Sequence, residues 1–292
     1  MRAILAIMLN TFREVVRQRL FLLIIVLTAA TLAIMLLFPY FTSKQGQDTV
    51  MYKDLALSTS TLAMVFLVAL TASSAMAEEI ESRTATTVLA KPVARWQFLL
   101  GKYLGVVLAL VVATAVLAVM LFLSSYIRVY LDAWPRDRAL AFTFSESQPA
   151  REFQAKMLNH ALATVPGSVM IFYQGSVLAA VAVVLSSRFS RVLAVIVTFG
   201  LFMVGHLSEF VEIAARRSTD LTRGIATWTI HLVPFLETFN LAGKLSQTPL
   251  APGSAEFAAV WSYTGLAGLY AAAYTVFALL VGVLLMGRRE MA

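Results

Sequence analysis

The sequence predicts an all-α membrane protein with six transmembrane helices, and three observations carry that prediction. Of the 292 residues, 60% are hydrophobic and only 13% charged, whereas a soluble domain holds about 25% charged residues. The apolar residues gather into runs of about 20, the length a helix needs to cross about 30 Å of hydrocarbon. Mean hydropathy is +0.80. The net charge of +7 then reads as an excess of Lys and Arg in cytoplasmic loops rather than a nucleic-acid surface. No cysteine is present, which excludes disulfides, thiolate metal sites and cysteine nucleophiles.

Residues 1–19 form an amphipathic element. Ile4, Leu5, Met8, Phe12, Val15 and Val16 recur at helical spacing, with Arg2, Asn10, Arg13, Arg17 and Arg19 off that stripe or at its edges. A basic helix with one apolar face lies in the interface, so Arg13, Arg17 and Arg19 are expected to anchor it on anionic headgroups. The stripe is too apolar for a nucleic-acid-binding arm. This stretch is also too long and too charged for the n-region of a signal peptide, and Ser74-Ala75-Met76-Ala77, which looks like a cleavage site, lies far inside the chain.

The first span covers residues 20–38 and is closed by Pro39, and a short polar loop follows to residue 54. Residues 55–77 make the second span and 103–127 the third. Residues 128–164 read as a longer polar region, with a turn at Trp134-Pro135-Arg136-Asp137 and a short helix starting near Pro149. The fourth and fifth spans are 165–185 and 192–207, joined by a turn carrying Arg188 and Arg191. Residues 211–262 are too apolar for an ordinary loop and too interrupted for a span; the sixth span is 263–286. Six crossings put both termini on one side. With the termini inside, the inside segments hold 12 basic and 5 acidic residues, and the outside ones 11 of each. The basic excess places both termini in the cytoplasm. One membrane domain over 1–292 is the simplest division.

Between the second and third spans lies the one long polar stretch that looks built to be gripped, residues 78–95. Glu78, Glu79 and Glu81 end the second span with carboxylates, which cannot enter hydrocarbon cheaply. Ser82 can cap a short helix to Ala90, with Ile80, Thr84, Val88 and Leu89 giving it an apolar side. Lys91-Pro92 breaks that helix, and Pro92 suits the first turn of the next. Trp96, Leu99 and Leu100 carry the chain on into the third span, with Arg95 and Lys102 reaching for headgroups. An ordinary cytoplasmic loop with proline punctuation explains the same residues about as well.

Several signals carry no chemistry. Gly101-Lys102 is not a phosphate loop, because Trp96 stands where a glycine is needed and Tyr103 where Ser or Thr is needed. His160, His206 and His231 lack metal-ligand spacing. Ser124 and Ser176 lack a partner in sequence for intramembrane hydrolysis. The spans as drawn contain no Lys, Arg, Asp or Glu, which argues against an ion-driven carrier. Gly101 and Gly105 have helix-packing spacing.

Taken together, Glu79-Ile80-Glu81-Ser82-Arg83-Thr84, Leu89-Ala90-Lys91-Pro92-Val93-Ala94-Arg95 and Leu99-Leu100-Gly101-Lys102 resemble the signature of permease subunits of ABC-2 type transporters. Thr11-Phe12-Arg13-Glu14, Pro234-Phe235-Leu236-Glu237-Thr238-Phe239-Asn240-Leu241 and Gly287-Arg288-Arg289-Glu290 are similar to that family's N-terminal helix, its segment before the last span and its C-terminal end. The subgroup it looks like is the copper-enzyme-maturation and gliding-type permeases. The resemblance implies a cell-membrane exporter subunit with no cofactor or catalytic site of its own. It would pair as a homodimer or heterodimer and dock a separate cytoplasmic ABC ATPase. Glu78, Glu79, Glu81, Arg83, Thr84, Leu89, Lys91, Pro92 and Arg95 would then form the coupling helix and its flanks, and 211–262 an extracellular re-entrant region. A non-transporting scaffold that recruits another cytoplasmic partner is the alternative.

Overall fold

The computed structural model describes residues 2–37, 47–81, 94–133, 148–207 and 234–287. Among these every regular element is helical. In chain order they are α1 (Arg2–Arg17), α2 (Arg19–Leu37), α3 (Gln47–Glu81), α4 (Arg95–Ala133), α5 (Gln148–Leu162), α6 (Thr164–Ser186), α7 (Arg191–His206), a 3-10 turn (Leu236–Phe239), α8 (Ala242–Gln247) and α9 (Ala255–Gly287). Five stretches are long and apolar enough to cross a membrane: Arg19–Leu37, Gln47–Ala75, Trp96–Asp132, Ala150–Ser186 and Ala255–Met286. The fifth span expected from sequence corresponds to α7, whose 16 residues reach only about 24 Å at 1.5 Å per residue.

The bundle is organised around α6. In its segment 67% of the apolar window is buried, against 22% for α2 and for α9, so α6 is the inner helix and those two are the outer ones. A helix that is apolar all round fits that place. Its glycines let neighbours close in: a Cβ on Gly167 would meet Leu57 of α3 at 2.8 Å, and one on Gly175 would meet Met64 at 2.9 Å. On α9, Gly268 lies against the Tyr173 ring and Gly282 against Val184. The matching order of these contacts means that α3, α6 and α9 run the same way. The α4 helix runs opposite, since Tyr103 reaches Ser176 while Leu99 approaches the same glycine, Gly282, as Val184.

The bundle therefore has a base, where α3, α6 and α9 end and α4 begins, and a crown at the other end. Two polar clusters hold the crown, and both revise the boundaries drawn from sequence. Residues 47–54 are not a loop but the first turns of α3, and α4 continues through Arg128 to Ala133. The reason is a buried ion cluster. The Arg128 guanidinium donates to the Leu36 carbonyl at the end of α2 (3.0 Å) and to Asp48 of α3 (3.2 Å), with Asp132 at 3.9 Å. Asp132 in turn accepts from the Thr49 hydroxyl (2.6 Å) and the Thr49 N–H (3.2 Å). Charge that reads as loop in a hydropathy scan is here helix, because each ion has a tertiary partner.

The second cluster fixes the segment before α9. Lys53 is fully buried, and its Nζ donates to the Leu245 carbonyl (2.8 Å) in the short helix α8. Tyr263 donates to the Thr238 carbonyl (2.8 Å), the Phe235 N–H donates to the Tyr270 hydroxyl (2.9 Å), and Gly205 packs on Leu236 and the Pro234 carbonyl. Gly253, at φ 85°, turns the chain into α9, and Ser254 caps that helix by accepting from the Phe257 N–H (3.1 Å). The last helix therefore starts at Ala255 rather than at residue 263. Lys53→Met is expected to speed amide exchange across 242–250 while costing no more than about 2 kcal/mol, because it removes a charge-assisted bond together with the buried charge. Hydrogen–deuterium exchange in nanodiscs reads this out, and unchanged protection would refute the tether.

Along the helices, hydroxyls bond back to their own backbone. Thr28, Ser60, Thr61, Thr71, Ser168, Thr198 and Thr264 each donate to the carbonyl four residues earlier, and Ser124, Ser176 and Ser186 to the one three earlier.

Candidate functional site

The base is built by α1 lying along the start of α4. Two glycines one turn apart make the fit. A Cβ on Gly101 would meet Ile7 at 2.9 Å and the Ile4 carbonyl at 3.2 Å, and one on Gly105 would meet Thr11 at 2.6 Å and the Met8 carbonyl at 2.7 Å. Backbone of α1 thus rests where side chains would otherwise stand, the close approach that small residues at helix interfaces allow. The spacing noticed in sequence is a packing face, and its partner is the chain's own first helix.

Lys102 sits between these glycines and does not reach for headgroups. It is 1% exposed, with Nζ 3.6 Å from the Glu14 carboxylate of α1. Burial beside a carboxylate is the arrangement a membrane-depth cation requires. At the end of α1, Gln18 donates to the Ser74 hydroxyl of α3 (2.9 Å), and that hydroxyl donates to the Thr71 carbonyl (2.9 Å). The α1 helix therefore clamps the outgoing end of α3 to the incoming end of α4. The start of α4 is capped locally, since Gln97 Oε1 accepts from the Ala94 N–H (3.3 Å).

The basic residues of α1 face away from this contact. Arg2, Asn10, Arg13, Arg17 and Arg19 are exposed, while Thr11 and Val15 are fully buried. The apolar stripe differs in detail from the one drawn from sequence: Leu5 is 55% exposed, and Ile7 and Thr11 take the inner positions. The inner face is set by where the α4 glycines allow approach, and hydrophobicity alone does not report that.

A sequence model of the family described as ABC-2 family transporter protein matches residues 5–290. The chain belongs to that family. A search among curated proteins gave no significant match. This ABC-2 protein is accordingly a multi-pass protein of the cell membrane with a transport permease role, and permeases of its family typically work with a separate ABC ATPase.

Of the coupling residues expected in this permease, Glu78, Glu79 and Glu81 lie on the last turn of α3 and Arg95 opens α4; their backbones alone are described. Arg83, Thr84, Leu89, Lys91 and Pro92, with the rest of 82–93, lie outside the described residues. The structure thus gives both flanks of residues 82–93 and the clamp that joins them. Sequence reasoning missed Glu14, Gln18 and Ser74 as members of that clamp. The Gly101–Gly105 spacing was the one signal that pointed to it. Among the described residues no group of three or more His, Asp or Glu side chains could hold a metal.

Proposed function

We propose that this chain is the permease subunit of an ATP-driven ABC-2 exporter, with both termini and the 78–95 stretch on the cytoplasmic side. The family match over residues 5–290 carries the reading. The base geometry supports it. A push on residues 82–93 by a nucleotide-driven partner would act on the ends of α3 and α4, and the α1 clamp would make those two helices and α1 move as one block. The basic excess of the inside segments agrees with that orientation. Glu79, Glu81, Arg83 and Thr84 meet the ATPase, Pro92 sets the angle into α4, and Arg13, Arg17 and Arg19 hold α1 on headgroups. Two permeases pair, each with one ATPase.

The double reversal Glu79→Lys/Glu81→Lys is expected to cut ATP-dependent cargo movement in inverted vesicles at least tenfold and to release the ATPase on copurification. The unfolding temperature should not change, because both substitutions fall on the last turn of α3. Normal transport with an ATPase still bound in full would refute the coupling role. A scaffold, by contrast, would retain its cytoplasmic partner without any nucleotide-dependent flux.

A further inference from the structure

At the crown, α3, α6, α7 and the 3-10 turn enclose a narrow cleft lined by Leu57, Ile171, Gln174, His206, Phe239 and Leu241. The space open to water-sized groups is about 20 Å³, enough for one water or one small polar tip. Thr61 and Asn240 also line it, but the Thr61 hydroxyl donates to the Leu57 carbonyl and the Asn240 amide is held by Glu237 and the Ala242 N–H, whereas two other polar atoms of the lining residues are unsatisfied. Gln174 is 3% exposed, and among the described residues its Nε2 has no hydrogen-bond partner and His206 Nδ1 has none either. Gln174 lies about 15 Å along α6 from Thr164 at 1.5 Å per residue, so the cleft reaches from the crown toward the middle of an apolar span. An unpaired amide at that depth is costly, and natural proteins keep such groups for function.

The donor and acceptor pattern narrows the ligand. The Glu237 carboxylate is 3.9 Å from His206 Nε2, which favours the tautomer with its proton on Nε2 and leaves Nδ1 as an acceptor. The Gln174 Nε2 remains a donor. One unpaired donor and one unpaired acceptor suit a neutral group that both accepts and donates, a hydroxyl or a primary amide. They do not suit a carboxylate, which needs two donors, or an ammonium, which needs acceptors alone. Phe202 packs against His206, with ring centroids 4.7 Å apart and ring planes 43° apart.

We propose that this cleft binds the neutral polar tip of an amphiphile, a hydroxyl or amide on an apolar body, through Gln174 and His206. As a statement about cargo it rests on the permease reading; as a statement about binding it does not. The test uses the purified full-length chain in phosphatidylcholine nanodiscs without any ATPase. Decanol and decanamide are the probes, with decane, decanoate and decyltrimethylammonium as controls, and binding is measured by calorimetry and by the shift in unfolding temperature. Saturable binding of decanol or decanamide is expected, weakened about tenfold or more by Gln174→Met. The ligand-free variant should melt no lower than the parent, because an unpaired buried amide has been replaced by an apolar chain. His206→Phe, which keeps the ring, should weaken binding in the same way and serves if Gln174→Met does not fold. Equal binding by parent and variants, binding of decane or decanoate as tight as decanamide, or no saturable binding (a single trapped water only) would each overturn the site. Should vesicle transport hold while the probes fail, only the cleft assignment falls. If the probes bind while ATP-driven transport is absent, the permease reading falls and the site stands.

Discussion

Arg128→Met is expected to lower the stability of the bundle by about 3–5 kcal/mol, the usual cost of removing one partner from a buried ion cluster. The Arg128 side chain is 7% exposed, and its carboxylate partners Asp48 and Asp132 are 21% and 17% exposed. With the guanidinium gone, two carboxylates face each other in a poorly hydrated site, and the Leu36 carbonyl at the end of α2 loses its donor. A lysine could not replace the fork that reaches a carbonyl and a carboxylate together, so Arg128→Lys should recover only part of the loss. The triple change Arg128→Met/Asp48→Asn/Asp132→Asn should recover much of it, because the uncompensated charges leave with the cation. Chemical unfolding in mixed micelles measures all three. A loss under about 1 kcal/mol for Arg128→Met would show that water enters the cluster and that it holds nothing.

Gly105→Leu should detach α1 from the bundle. Filling a packed interface costs about 1–3 kcal/mol when neighbours can yield. Here one of the nearest atoms is the Met8 carbonyl at 2.7 Å, and backbone cannot turn aside as a rotamer does. Cleavage by trypsin after Arg13 and Arg17 should rise at least tenfold, while the main unfolding transition stays in place. Transport should fall by a similar factor if the base moves as one block. Gly200→Leu is the matched control, since among the described residues nothing lies within 4 Å of a Cβ there. Equal trypsin sensitivity in the two variants would refute the clamp.

The two largest effects both involve residues whose partners are far away in sequence, and that explains what could be read in advance. Apolar runs placed α2 at 20–38 against the observed Arg19–Leu37 and α6 at 165–185 against Thr164–Ser186, and Pro149 marked the start of α5. Those features are local, set by composition and by the backbone preferences of proline. The turns containing Asp48, Lys53 and Arg128 read as loops in sequence because a hydropathy window counts an ion as a cost and cannot see Arg128 meeting Asp48, or Lys53 meeting the Leu245 carbonyl. Lys102 was misplaced for the same reason, as its Glu14 partner belongs to a different helix. Of the candidate site, the flanks at Glu78, Glu79, Glu81 and Arg95 fall where the apolar runs end. The docking of Ile7 and Thr11 on Gly101 and Gly105 depends on a pairing that spacing suggests without naming the partner.

The serine and threonine hydroxyls that bond within their own helices have a mechanical consequence. Since Ser60, Thr71, Ser168, Ser176 and Thr198 spend their protons on the same strand of backbone, they do not rivet one helix to the next. The middle of the assembly is lubricated, and the strong fastenings sit at its two rims. Sliding and tilting of the central rods can then proceed largely by exchanging one set of methyl contacts for another, with the long Tyr103–Ser176 hydrogen bond as a polar link to break along the way.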